Sequence, residues 1–124
     1  ENKISNDIPL PVYNFGKMKR DFTFIDDIVS GIRSAIEKNY KCEIFNLGNN
    51  RCEDLLELIK IMEDCMGKKA KLDFQKIQPG DVTKTYADIQ HSTNKLNYLP
   101  STNISTGINE FIKWYTSKGM NYKT

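Results

Sequence analysis

The residues that build metal and redox sites are scarce in this chain. It has one histidine, His91, and three cysteines, Cys42, Cys52 and Cys65, among 124 residues. The cysteines are odd in number and widely spaced, and no C-x-x-C occurs. Reduced thiols are therefore expected, rather than a disulfide framework or a zinc site. One histidine in a polar stretch also leaves no Ser/His/Asp or Cys/His constellation. No apolar run approaches the roughly 18 residues that cross a bilayer, and the opening ENKISNDIPLP holds no apolar signal core. The expectation is a cytoplasmic protein without a membrane partner. Excess charge is lacking too: 18 Lys and Arg stand against 16 Asp and Glu, a net +2. That field is too weak to imply a nucleic-acid partner. No G-x-G-x-x-G turn is present, so no dinucleotide-binding half is visible. Internal repeats, low-complexity stretches and linkers are also missing.

What is present is a core-forming composition, 39% hydrophobic and 27% charged, in a chain the length of one ordinary domain. Residues 1–9 read as a polar lead-in and LPVYN (10–14) as a short strand closed by Phe15-Gly16. A helix is predicted after Thr23. Thr23-x-x-Asp26 resembles a capping box, and Ile25, Ile28, Val29, Ile32 and Ile36 recur at helical spacing up to Asn39-Tyr40. EIFNLG (43–48) reads as a strand. Residues 52–66 carry the clearest helical stripe, Leu55, Leu58, Ile59, Met62, Cys65 and Met66, closed by Gly67 as a left-handed cap. AKLDFQKI (70–77) alternates like a strand, with Leu72 and Phe74 on one side. Gln78-Pro79-Gly80-Asp81 has the Pro-Gly order of a type II turn. A short helix from Asp88 to about Leu96 follows. The last helix starts at a Ser105 cap and buries Ile108, Phe111, Ile112 and Tyr115. The fold class is thus α/β, a small mixed unit of about three strands and four helices.

Two positions stand out. In KMKRDFTFIDD (17–27) an extended backbone puts Arg20 and Phe22 on one face and Lys19 and Asp21 on the other. Arg20 then leans toward a packed or cleft side, where a guanidinium can grip phosphate with two N–H groups. From spacing alone, a surface arginine paired to Asp21, Asp26 or Asp27 is the plainer reading. The Q-P-G-D turn either is a plain turn or presents the Asp81 carboxylate to vicinal sugar hydroxyls.

Taken in order, R-D-F-T-F-I-D-D-I-V (20–29), F-N-L-G-N (45–49), Q-P-G-D-V-T-K-T-Y-A-D (78–88), L-N-Y-L-P-S-T (96–102) and G-I-N-E-F-I-K-W-Y (107–115) resemble the C-terminal part of extended short-chain dehydrogenase/reductases. The resemblance runs over roughly residues 8–118 and is strongest to nucleotide-sugar epimerases of the UDP-glucuronate 4-epimerase branch, also met as capsular-polysaccharide biosynthesis proteins.

The resemblance implies the C-terminal, substrate-binding lobe (10–118) of a Rossmann-type enzyme, followed by a tail (119–124). Arg20 would contact the diphosphate and Asp81 the ribose hydroxyls. Val12, Tyr13 and Asn14 would border the uracil, largely through backbone. Gln78 stands where related UDP-galactose epimerases carry a phosphate-binding arginine. NAD and the catalytic Tyr and Lys would belong to an N-terminal Rossmann domain absent from these residues. Neither catalysis nor cofactor binding is therefore expected of this chain alone. The expected partners are a UDP-sugar and the missing domain, or another copy of the chain through an uncovered apolar face. The same lobe could serve a related dehydratase or decarboxylase. A stand-alone binding or interaction module is the alternative of a different class.

Overall fold

The computed structural model describes residues 2–118, so the expected tail at 119–124 lies outside the described residues. Five α-helices, α1 (Asn2–Ser5), α2 (Ile25–Lys38), α3 (Leu55–Met66), α4 (Gln90–Leu96) and α5 (Ile104–Lys118), alternate with four short strands among them. The strands are β1 (Leu10–Val12), β2 (Lys19–Arg20), β3 (Glu53–Asp54) and β4 (Leu72–Phe74). The mixed α/β class holds, with more and shorter pieces than the periodicity predicts.

β1 and β4 pair in parallel, Leu10 opposite Leu72 and Val12 opposite Phe74. Pro11 sits within β1, which a two-stranded sheet tolerates because each strand has an open edge. β2 and β3 pair antiparallel, Lys19 opposite Asp54 and Arg20 opposite Glu53. On the other side of β2, the Lys19 N–H donates to Thr83 O at 2.9 Å and its carbonyl accepts from the Thr85 N–H at 3.1 Å. Arg20 therefore lies on the middle line of a three-line ribbon.

The helix ends follow local chemistry. Asn39 and Gly67 take left-handed conformations, φ 49° and 62°, and close α2 and α3. The starts differ from expectation. Phe24, with no side-chain cap, precedes α2, because the Thr23 hydroxyl is turned to Asp21 at 3.3 Å. α3 begins three residues later than expected because residues 53–54 pair with β2. Asn103 replaces Ser105 as the cap of α5, its Oδ1 accepting from the Thr106 N–H at 2.8 Å. Asp88 does serve α4, accepting from the Gln90 N–H at 2.9 Å. The lead-in contains a helical turn whose Ile4 is buried.

Three other expectations fail. LPVYN stops being a strand at Val12, because Asn14 and Phe15 turn left-handed, φ 50° and 52°. EIFNLG is not assigned as a strand; a strand needs a neighbour to complete its ladder, and none of the described strands pairs with it. Cys65, on the apolar stripe of α3, is exposed rather than packed in the core.

Ile89, Leu96 and Tyr98 form a buried cluster, with Ala35, Phe45, Leu47 and Ala87 packed against it. α2 reaches it through Gly31, where an added Cβ would lie 2.6 Å from Leu47 Cδ2 and 2.9 Å from Tyr98 Cδ2. α3 packs on α5, with Ile59 and Ile112 buried. The apolar stripe of α2 is not part of this core. Ile25, Val29, Ile32 and Ile36 are all exposed, Ile36 by 73%, and so is Ile44 on the unpaired 43–47 segment, by 87%.

Candidate functional site

Arg20 and Asp81 are brought together. Arg20 Nη2 donates to Asp81 Oδ1 at 3.0 Å, and Nη1 donates to the Lys19 carbonyl at 2.9 Å. Their side chains are 25% and 32% exposed, so the pair is only partly shielded from water. Lys19, on the opposite face of the strand, pairs with Asp54 at 3.1 Å. The alternation read from the sequence therefore holds. The surface pairings with Asp21, Asp26 or Asp27 do not form; the partner is 61 positions away.

The Q-P-G-D turn builds the other half. The Asp81 N–H donates to Gln78 O at 3.1 Å, and Gly80 has φ +81°, the left-handed value a type II turn requires. The Val82 N–H donates to Asp81 Oδ1 at 3.0 Å, fixing the carboxylate that receives Arg20. Gln78 thus belongs to the same turn as Asp81. β1 joins the segment before it by backbone: Gln75 N–H donates to Val12 O at 2.9 Å, and Phe15 N–H donates to Gln75 O at 3.0 Å. The Val12 side chain is fully buried and its carbonyl is used, so neither is free to meet a ligand. Tyr13 and Asn14 are half-buried in the turn that follows. Asn14 donates from Nδ2 to Lys17 O at 3.2 Å.

Sequence reading missed the group that organises this region. Asp21, beside Arg20 but facing away from it, accepts from the backbone N–H groups of Asn49, Asn50 and Ala87 at 2.8, 3.1 and 3.1 Å. Its own N–H donates to Thr85 Oγ1 at 3.2 Å. One carboxylate so ties the ribbon to the 48–50 and 85–87 loops. Gly48 leaves room for this, since a Cβ there would lie 2.4 Å from Ala87 Cβ and 3.1 Å from Asp21 Oδ2. Asp27, named from the sequence only as a possible partner of Arg20, is buried and accepts from the Ser101 and Thr102 N–H groups, both at 3.1 Å. Tyr98 completes the frame by donating its hydroxyl to Gly48 O at 2.9 Å. Burial, helped by the charges of Asp27 and Asp21, pushes its phenol up to about 12. Nothing local in the sequence signals these long-range partners.

A cleft of about 690 Å³ is lined by Asn49, Asn50, Arg51, Tyr86, Asp88 and Leu99 among others, and by none of the expected site residues. Among the described residues no three His, Cys, Asp or Glu side chains gather to hold a metal. His91 instead stacks on Phe45 and contacts Glu43 at 3.0 Å. No helix among the described residues is long and apolar enough to cross a membrane.

No family model matches the chain. Individual proteins do. An uncharacterized protein of Methanocaldococcus jannaschii is 45% identical over 106 residues, covering 86% of this chain and 32% of that one. The protein CapI of Staphylococcus aureus is 35% identical over 132 residues, covering 90% and 39%. The UDP-glucuronic acid 4-epimerase of Bacillus cereus, in complex with UDP-glucuronic acid and NAD, superposes with a TM-score of 0.80 at 33% identity, covering 90% and 37%. This chain is related to the C-terminal part of NAD-dependent nucleotide-sugar epimerases and dehydratases. It spans between about 32% and 39% of the length of these relatives.

No dinucleotide-binding βαβ unit is formed among the described residues. The described strands form only a three-residue parallel pair and a two-residue antiparallel one, and no Gly-rich turn joins a strand to a helix. Tyr13 and Lys17 do stand at Y-x-x-x-K spacing, which the sequence reading passed over. The intervening residues form a 3₁₀ turn with left-handed Asn14 and Phe15. The helical face that puts residues i and i+4 side by side is therefore missing.

Proposed function

We propose that the chain supplies the UDP-binding part of the substrate site of an NAD-dependent nucleotide-sugar 4-epimerase of the UDP-glucuronate type, acting in polysaccharide precursor synthesis in the cytoplasm. The observation that carries this reading is the convergence of Arg20 and Asp81 at 3.0 Å on a half-buried edge. A guanidinium offers paired N–H groups to a diphosphate. A carboxylate offers acceptors to the two ribose hydroxyls. In this reading Gln78, on the Q-P-G-D turn, stands at the position of a second phosphate contact, and Tyr13 and Asn14, after β1, border the uracil. With Val12 sealed, that border falls to Tyr13 and Asn14.

NAD and the catalytic Tyr and Lys belong, in this reading, to the remaining two-thirds of a relative's length. The exposed stripe Ile25, Val29, Ile32 and Ile36 supports a lobe over a stand-alone module. A run of four aliphatic side chains on one helix face is what a lobe leaves bare when its companion domain is missing. Self-association through that stripe is the expected behaviour of the chain by itself.

The test is calorimetric titration of UDP into wild type and Arg20→Ala. Weaker binding by at least tenfold in the variant is expected; equal affinities would remove Arg20 from the site. The 124 residues alone should give no turnover with NAD and UDP-glucuronate.

A further inference from the structure

The cleft of about 690 Å³ shares no residue with the nucleotide site proposed above. Its volume lies within the range of ordinary small-molecule sites. Asn49, Asn50 and Arg51 line it from one segment, Tyr86 and Asp88 from another. One carboxylate pins both segments: Asp21 accepts from the Asn49, Asn50 and Ala87 N–H groups at 2.8, 3.1 and 3.1 Å. Buried Asn49 adds a bond from its Nδ2 to Phe22 O at 3.1 Å. The cleft is therefore shaped before a ligand arrives, which lowers the ordering cost of binding. None of these anchors uses the side chain of Arg51, Tyr86 or Asp88.

Those three side chains are left for a ligand. Among the described residues Arg51 joins no ion pair, although Asp88, of opposite charge, lines the same cleft. Their charged ends thus stand farther apart than an ion pair, which leaves room for a bridging molecule. One Asp88 oxygen accepts from the Gln90 N–H at 2.9 Å, and the carboxylate keeps further acceptor capacity. Tyr86 is 57% exposed, a broad ring beside the two charges. A simple anion at Arg51 would be repelled by Asp88, and a neutral polyol at Asp88 would leave Arg51 without a partner. A molecule with a carboxylate at one end, hydroxyls at the other and an apolar C–H face between them matches all three groups. The guanidinium grips the carboxylate with paired N–H groups, Asp88 accepts from the hydroxyls, and the Tyr86 ring covers the C–H face. We propose that this cleft is a second binding site and that its ligand is a sugar acid, a pyranose bearing one carboxylate. A sugar phosphate offers the same hydroxyls but brings more negative charge toward Asp88, and that repulsion sets the preference for the carboxylate. The proposal does not rest on Arg20 and Asp81 as ligand groups.

The experiment uses the protein expressed from its complete reading frame. Glucuronate, glucose 6-phosphate and glucose are titrated separately and followed by saturation-transfer NMR. Each titration is run with excess UDP-glucose, which carries no carboxylate, to fill the nucleotide-sugar site. The proteins are wild type, Arg51→Gln, Tyr86→Ser and Lys60→Gln, the last making the same charge change on an exposed position of α3. Wild type should bind glucuronate about tenfold more tightly than glucose, with glucose 6-phosphate between them. Arg51→Gln should erase the advantage of glucuronate over glucose, Tyr86→Ser should weaken both about fivefold, and Lys60→Gln should change neither. Glucuronate binding that is absent from wild type, or that survives Arg51→Gln at full strength, would overturn the site, as would an equal loss in Lys60→Gln. Tighter binding of glucose 6-phosphate than of glucuronate would overturn the assignment of the ligand as a carboxylate. A UDP affinity that ignores Arg20→Ala removes the proposed nucleotide site and leaves these outcomes as they stand.

Discussion

Replacing Tyr98 with phenylalanine isolates one buried hydroxyl and gives a response with a defined pH signature. Tyr98 is 2% exposed and its hydroxyl donates to Gly48 O at 2.9 Å. The substitution keeps the ring and leaves that carbonyl, itself on a buried residue, without its donor. The cost at neutral pH should be about 1–3 kcal/mol. Burial, then the charges of Asp27 and Asp21, raise the phenol from its ordinary 10 to about 12 in the folded chain. Between those values the unfolded chain releases the proton and the folded chain holds it, so folding loses stability as pH rises. The stabilisation is complete below pH 10 and gone by about 12, roughly 3 kcal/mol in all. The variant's ring has no proton to lose. Urea unfolding of wild type and Tyr98→Phe at pH 7, 9, 10 and 11.5 should show the variant less stable at pH 7 and the gap closing or reversing at the alkaline end. A gap that stays constant from pH 9 to 11.5 would refute the account, since every other titrating group is common to the two chains.

The remaining predictions concern packing, anchoring and the bare surface. Gly31→Ala would put a methyl 2.6 Å from Leu47 Cδ2, and thermal melts should show a loss of about 1–3 kcal/mol as α2 is forced off the core. Asp27→Asn keeps the shape but not the charge that receives the Ser101 and Thr102 N–H groups. It should cost about 1–3 kcal/mol and speed amide exchange at those two positions; unchanged exchange would count against the anchor. The pair Ile32→Glu with Ile36→Lys changes exposed positions, so stability should move by only about 0.5 kcal/mol. Sedimentation velocity should show less self-association than wild type, and an unaltered distribution would exclude this stripe as the contact.

Features that depend on a few neighbouring residues were legible in the sequence. Asn39 and Gly67 end helices because a left-handed residue can satisfy the last carbonyls. Pro79-Gly80 makes its turn because the two residues supply the required φ values unaided. Parity along an extended backbone separated Arg20 from Lys19, and that separation survives in the fold. The resemblance of ordered motifs located the lobe.

The partners were not legible, because a hydrogen bond or ion pair across 61 residues leaves no local pattern. Arg20 was open to three nearby carboxylates, and the fold gave it Asp81 because the 83–85 segment lies beside β2 and brings the turn with it. Asp21 looked like one more surface acid; only the arrival of the 48–50 and 85–87 loops makes it the acceptor of three backbone amides. EIFNLG has the residues of a strand and lacks the neighbour, and the α2 stripe has the period of a buried face and lacks a cover. Propensity and period are properties of a segment, whereas pairing and burial require a second surface to be present. Sequence therefore determined what each segment can become, and tertiary structure decided which segments had found a partner within these residues.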